Sequence, residues 1–356
     1  MSDRAVGIVG LGAYLPEQVR TNAFWPESVV AQWEERMARI RPDEPAVSTE
    51  GVRRILEAIR AYGKDPFVGA RERRVMAEGE LSSDMEAHAA RHALENAGLK
   101  PCDIDLILSH TLVPDYLTVN ASSIVHHKVG LRREVMAMTT DAMCVSFLMQ
   151  FSLARYYIAI GEAKKVLVTQ SSAASRIISN EQPFCTQVGD GASAAVMGLV
   201  EPGLGLLSTA FRTDGSLHGG FVSSVPGKRW YEEGRVVATS EDRAAAKRMQ
   251  LLSIDMAIEV IDEALDKASI PKAEVRFFTT HQPSGWFRRV CQQAAGLEHA
   301  GFVDTFPTLG SLSAANIPMQ LHLGQKEGLL HKGDPVVAFT LASGMNVGAA
   351  VFRWAL

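Results

Sequence analysis

The chain has 356 residues, 47% hydrophobic and 21% charged, with a net charge of −4. This is a globular composition, long enough for one large domain or two of ordinary size. The near-neutral balance gives no electrostatic basis for nucleic acid or an anionic membrane as partner. The basic stretch Arg71-Glu72-Arg73-Arg74 is short and interrupted by an acid, so it reads as solvated surface or local ion pairs.

A β-like segment follows Met-Ser-Asp-Arg with no leader of the charged-then-apolar kind, and no apolar run reads as long enough to span a bilayer. A cytoplasmic protein is expected. The four cysteines, Cys102, Cys144, Cys185 and Cys291, form no Cys-x-x-Cys pair, which argues against a disulfide framework or a zinc knuckle. His88 and His92 share one face of a predicted helix but lack the glutamate of a zinc protease, so no metal is expected there.

The first predicted strand runs from Ala5 to Gly12. Its Gly10-Leu11-Gly12 is no dinucleotide loop, because Leu15 stands at the third glycine and Pro16 follows instead of a helix. Two amphipathic helices are expected between Pro26 and Gly63, around a turn near Arg41 to Pro45. A capping box, Ser83-Asp84-Met85-Glu86, opens a helix that ends at Gly98. Strands at Ile104–Leu108, Glu134–Thr139 and Lys165–Thr169 then alternate with helices near Ala121 and from Val145. Such alternation predicts an α/β fold with a mainly parallel sheet.

Residues 93–110 and 264–281 align without a gap. Each is a helix end, a turn, an acidic residue and a buried strand, finishing on His110 and His281. Val166-Leu167-Val168 is echoed by Val336-Val337-Ala338, and Ala194-Ala195-Val196-Met197 by Ala349-Ala350-Val351-Phe352. Solenoid repeats are much shorter. The spacing predicts a duplicated half-domain, 1–200 and 201–356, with a site in the crevice between equivalent strand ends. The alternative is that helix-turn-strand units simply look alike.

Cys144 stands between a strand and a helix apolar on most sides, from Val145 to about Ile160. Such a helix is normally buried, and free N–H groups at its start favour a thiolate. The alternative is a small buried thiol, the common fate of cysteine. His281 ends the strand Val275–Thr280, ahead of a helix starting near Ser284 with Trp286, Val290 and Ala294 at helical spacing. It is either catalytic or a structural, hydrogen-bonded histidine; His110 is read as the second kind.

At these residues the chain resembles the ketoacyl-ACP synthase III branch of the thiolase superfamily. Six motifs in order carry the resemblance: Gly12-Ala13-Tyr14-Leu15-Pro16 with Arg20-Thr21-Asn22, then Gly69-Ala70-Arg71-Glu72-Arg73, Ala142-Met143-Cys144, Gly189-Asp190-Gly191-Ala192, His281-Gln282-Pro283 and Leu309-Gly310-Ser311-Leu312-Ser313-Ala314-Ala315. The resemblance implies a duplicated thiolase-like fold of five layers, α/β/α/β/α, in a homodimer with no metal or redox cofactor. It implies that Cys144 takes an acyl group from acyl-CoA or an acyl-carrier protein. The N–H groups of Cys144 and Ser343 would form the oxyanion hole, and His281 would assist transfer to malonyl-ACP or a small-molecule acceptor. Thiolate chemistry agrees, since sulfur is both nucleophile and leaving group.

Three departures stand out. The family asparagine that helps hold an enolate is Ser311 here, with Asn316 in what should be the next helix. Losing an oxyanion-type donor costs about 3–4 kcal/mol, so either the Ser311 hydroxyl substitutes or the acceptor needs no such enolate. The tryptophan and arginine that clamp the CoA adenine fall at Gly63 and Phe67, with only Lys64 and Arg60 as nearby cations. Added length at 22–67 brings Trp25, Val29 and Trp33; it either reshapes substrate access or forms a surface hairpin. Leu117 and Thr118 fall near the family's acyl-pocket end, and Phe67 is a further pocket candidate.

Three functions compete: a decarboxylative ketosynthase in polyketide or other secondary metabolism, a non-decarboxylating acyltransferase to oxygen, nitrogen or activated carbon, and a catalytically silent partner subunit.

Overall fold

Close approach of backbone to backbone explains the first strand. The computed structural model describes residues 4–39, 48–63 and 65–356. In it β1 (Val6–Tyr14) lies under α3 (Ser82–Asn96), and a Cβ on Gly12 would stand 2.2 Å from the Ala89 carbonyl oxygen. The glycines that mimic a nucleotide loop therefore serve strand–helix packing. Next, β2 (Gln18–Thr21) pairs antiparallel with β3 (Glu72–Val75). Between them stand α1 (Glu27–Arg39) and α2 (Glu50–Tyr62), the latter capped by Thr49, whose hydroxyl accepts from Val52 N at 3.1 Å. The expected turn near 41–45 and Lys64 lie outside the described residues.

The capping box of α3 differs from the expected one. Asp84, not Glu86, reaches back to accept from Leu81 N at 3.1 Å. Glu86 turns inward and accepts from the hydroxyls of Ser109, Thr111, Thr169 and Ser171. The helix starts two residues earlier than the serine pattern suggests, with Leu81 rather than Ser83 at the N-cap, and Glu86 falls on its buried face.

The first large sheet has the order β1-β7-β6-β4-β5, built from β4 (Leu106–Thr111), β5 (Met136–Thr139), β6 (Lys165–Ala173) and β7 (Asp190–Leu199), with α4 (Ala121–Val129) and α5 (Ser146–Ile160) between strands. After β8 (Gly205–Thr213) come a small hairpin, β9 (Val222–Ser224) and β10 (Val237–Thr239), and the long α6 (Arg243–Ala268). Then follow β11 (Phe277–Thr280), α7 (Phe287–Ala294), α8 (Phe306–Leu309), α9 (Asn316–Lys326), β12 (Pro335–Ala342) and β13 (Asn346–Arg353). The second large sheet has the order β11-β12-β13-β8.

The sheets are mixed rather than mainly parallel. Only β4–β5, β4–β6 and β11–β12 run parallel; β1, β7, β8 and β13 pair antiparallel. Each half closes on a strand that returns without a helical crossover: β13 follows β12 through a three-residue turn, and β7 returns on β6.

The layers are α3 and α4, the first sheet, α5 with α9, the second sheet, and α6 with α7. The stretch Met143–Ile160 is long and apolar enough to cross a membrane by composition, contrary to expectation. It is apolar because α5 lies in the middle layer, with Phe147, Leu148 and Phe151 fully buried between two sheets.

Candidate active site

The Cys144 turn leaves β5 and enters α5, and its backbone is held at each step. Thr140 N donates to Ser109 O at 2.9 Å, Met143 N to Asp141 Oδ1 at 2.8 Å and Ala142 N to Ser146 Oγ at 2.9 Å. Met143 sits at φ +51°, a left-handed conformation unusual for a non-glycine residue. Cys144 follows it in a 3-10 turn, and Thr340 Oγ1 donates to its carbonyl at 3.2 Å.

The facing loop comes from the other half. Gly310, at φ +65°, ends α8, and Ser311 pairs with 187–189: Ser311 N donates to Gln187 O at 2.8 Å and Gly189 N to Ser311 O at 3.0 Å. Ser313, also left-handed at φ +53°, puts Oγ 3.3 Å from Cys144 Sγ. Ser311 Oγ lies 2.8 Å from His281 Nε2. Thus Cys144–Ser313 and His281–Ser311 are two hydrogen-bonded pairs on one loop. All four, with Ser343 from the β12–β13 turn, line a pocket of about 180 Å³. Its other walls are apolar, among them Leu112, Ile177, Phe184, Val188 and Phe221.

Gln282 fixes the loop behind His281. Its amide N donates to Val303 O at 3.0 Å, and its Oε1 accepts from Thr305 N and Phe306 N at 3.0 and 2.9 Å. Asn316, fully buried at the start of α9, accepts from Leu312 N at 3.0 Å. It braces the serine loop and does not line the pocket.

Electrostatics at Cys144 differ from expectation. Burial pushes the Cys144 thiol up to about 11, against the opposing Ser313 hydroxyl and its own backbone, and with a further rise from the Asp141 charge. Cys144 is half-buried as a residue and lines the pocket, but it lies deep in the protein, and that depth is the largest of these causes. Burial likewise lowers His281 to about 4, partly offset by the Leu341 backbone. At neutral pH the site is a neutral thiol beside a neutral imidazole.

The tentative pocket residues lie elsewhere in the chain. Leu117 is 77% exposed on the loop before α4, and neither Leu117, Thr118 nor Phe67 lines the pocket. Phe67 packs instead on Trp25, ring centroids 6.0 Å apart, and Gly63 caps α2. His88 stacks on Tyr14, while His92 meets the Ala13 backbone and His322. Sequence reasoning missed Ser313, Thr340 and the Met143 conformation as site features. Ser313 had a signal, being a hydroxyl inside the 309–315 motif; Thr340, a lone hydroxyl in an apolar strand, had only a weak one.

Two family models match: 3-oxoacyl-[acyl-carrier-protein] synthase III over residues 138–215 and its C-terminal counterpart over residues 265–354. The β-ketoacyl-[acyl-carrier-protein] synthase III of Thiobacillus denitrificans is 28% identical over 349 residues, 98% of each chain. The chain belongs to the ketoacyl-ACP synthase III-like branch of the thiolase superfamily. It is an acyltransferase-type condensing enzyme with the thiolase-like fold. The 3-oxoacyl-[acyl-carrier-protein] synthase III of Aquifex aeolicus superposes with a TM-score of 0.77 at 25% identity, covering 98% of this enzyme and 100% of that chain. A priming β-ketosynthase from a polyketide biosynthetic pathway shares the fold at 0.81 and 23% identity, covering 98% and 96%.

Proposed function

We propose that this condensing enzyme carries its acyl group as a thioester on Cys144 and joins it to a malonyl-type thioester, in polyketide or other secondary metabolism. In the first half-reaction Cys144 Sγ attacks the donor carbonyl, the donor C–S bond breaks, and the Cys144 proton leaves with the departing thiol. The neutral site suits this exchange, because thiol is consumed and thiol is released. The N–H groups of Cys144 and Ser343 are the proposed oxyanion hole. In the second half-reaction the malonyl thioester loses CO₂. Its enolate carbon bonds to the acyl carbon, the C–S bond to Cys144 breaks, and the sulfur regains a proton. In this scheme the His281 Nε2–H turns from Ser311 Oγ to the enolate oxygen.

The observation that carries the reading is that Cys144 and His281 open on one mostly apolar pocket, each paired to a serine of the same loop. Acyl-CoA and acyl-carrier protein are the candidate donors, and malonyl-ACP the candidate acceptor. Homodimerisation fits the exposed edge β5, where Met136 offers apolar surface to a second copy, as do Tyr116, Leu117 and Val119 on the loop before α4.

A second reading rests on Ser311. Its hydroxyl is tied to His281, and no amide reaches the pocket at that place, which favours acyl transfer to an oxygen, nitrogen or activated carbon acceptor with His281 as base. Intact-mass measurement after incubation with acyl-CoA and acyl-carrier thioesters tests both readings. An adduct that Cys144→Ala abolishes supports the covalent step; no adduct from any donor rejects it and revives the silent partner subunit. Release of CO₂ on adding malonyl-ACP then separates condensation from plain transfer.

A further inference from the structure

The nucleophile turn contains a second polar pair. Asp141, three residues before Cys144, accepts from Met143 N, and the same Oδ1 lies 3.4 Å from His110 Nδ1. His110 is 2% exposed, and its Nε2 is buried with no hydrogen-bond partner. Its place on β4 is set by alternation. Ser109 and Thr111 face Glu86, so His110 shares the opposite face with Leu112, which lines the pocket. On β6 its register partner Gln170 stands one step behind Ser172, another lining residue. Gln170 and Gln150 of α5 hydrogen-bond each other, and Gln150 donates to Thr140. These neighbours are uncharged. Among the described residues Asp141 is the charged group paired with His110, and Glu86 lies across the sheet.

We propose that His110 is a positioning residue for the nucleophile: its Nδ1–H holds the Asp141 carboxylate inward, where that carboxylate keeps Met143 in its left-handed conformation and so aims Cys144 Sγ at Ser313. The inference rests on Cys144 being the reactive thiol. A left-handed non-glycine residue is strained and needs an external hold. Asp141 supplies it by a short Asx-type contact. Yet its side chain is 68% exposed, so without His110 it is free to swing into water. The buried imidazole is what ties it to the sheet.

Alkylation of Cys144 by iodoacetamide, followed by mass across pH, tests this without any acyl donor. Asp141 raises the thiol only while its charge is held near Sγ. Asp141→Asn keeps the acceptor for Met143 N and removes the charge. It should shift the profile to lower pH by about half a unit, about threefold in rate at fixed pH, the effect being small because solvent screens the carboxylate. In a His110→Phe background the same substitution should shift it by less than half as much, since the carboxylate has already left. His110→Asn, which retains a donor near the Nδ1 position, should restore the shift and serves if the phenylalanine variant fails to fold. An equal Asp141→Asn shift in all backgrounds, or none in the parent, would overturn the proposal. Failure of Cys144 to take an acyl group while these shifts appear counts against the proposed function alone.

Discussion

His110 and His281 occupy the same place in the two halves, at the end of a buried parallel strand after a helix and an acidic turn. The chain has made different use of them. His281 is one residue past β11, faces a loop hydroxyl at 2.8 Å and lines the pocket. His110 is still inside β4, one alternation step behind the pocket wall, and faces a carboxylate on the nucleophile turn. A shift of two residues relative to the strand end, one alternation step, thus separates a group that can touch substrate from one that can only act through its neighbours. The asymmetry follows from what sits beside each strand. In the first half β5 adds an edge strand whose exit carries Cys144; in the second, β11 is itself the edge and its exit is open.

The strongest way to break this contrast is to remove the Cys144 thiol. Cys144→Ala should abolish the acyl adduct in intact-mass spectra while leaving the fold unchanged by circular dichroism. Next in size, His281→Ala should lower steady-state transfer about 10²- to 10⁴-fold with acylation of Cys144 still detectable. Ser311→Ala should cost less, about tenfold to 10²-fold, in CO₂ release from malonyl-ACP. Ser311→Asn should equal or exceed the parent if decarboxylation is native, and give little gain if the reaction is plain transfer.

The last effect is on stability rather than on rate. His281 falls from an ordinary 6.5 to about 4 on folding. Below pH 6.5 the unfolded chain gains a proton that the folded chain refuses until about pH 4. Stability present above 6.5 is therefore lost as pH drops through that window, by about 3 kcal/mol at most. Half-buried His322 is lowered in the same direction and adds the same sign. Thermal melts from pH 7 to 4 should show a shallower slope for His281→Asn than for the parent.

The strand–residue–helix context singled out Cys144 and His281 but left a structural role open for each; the structure brings both to one pocket. The five layers followed from the resemblance. The sheet direction did not, because apolar strands look the same whichever way their partner runs. Glu86 was misread for a related reason: Ser83 to Glu86 matches a cap, and only the three-dimensional gathering of four hydroxyls from two strands shows why a carboxylate turns inward. The thiol's raised pKa was also invisible, since depth depends on the other half of the chain. Leu117 is the converse case, a residue whose motif position says pocket while its surroundings in one chain say surface.

The added segment at 22–67 has a consequence of its own. Trp25 and Trp33 are buried against Ala174, Ile178 and Val188, which line the pocket, and Phe67, Leu112, Ile177 and Phe184 pack on the same cluster. Arg73 stacks its guanidinium over Trp25 at 4.9 Å and donates to the Thr186 carbonyl, tying this cluster to the loop that pairs with Ser311. The cavity therefore has two owners. The serine loop and the Cys144 turn define one end, while the aromatic cluster of Trp25, Trp33 and Phe67 backs its far wall. Substitutions in that cluster should resize the chamber and leave Cys144 and His281 where they are, so the size of the acyl group accepted should change before the chemistry does.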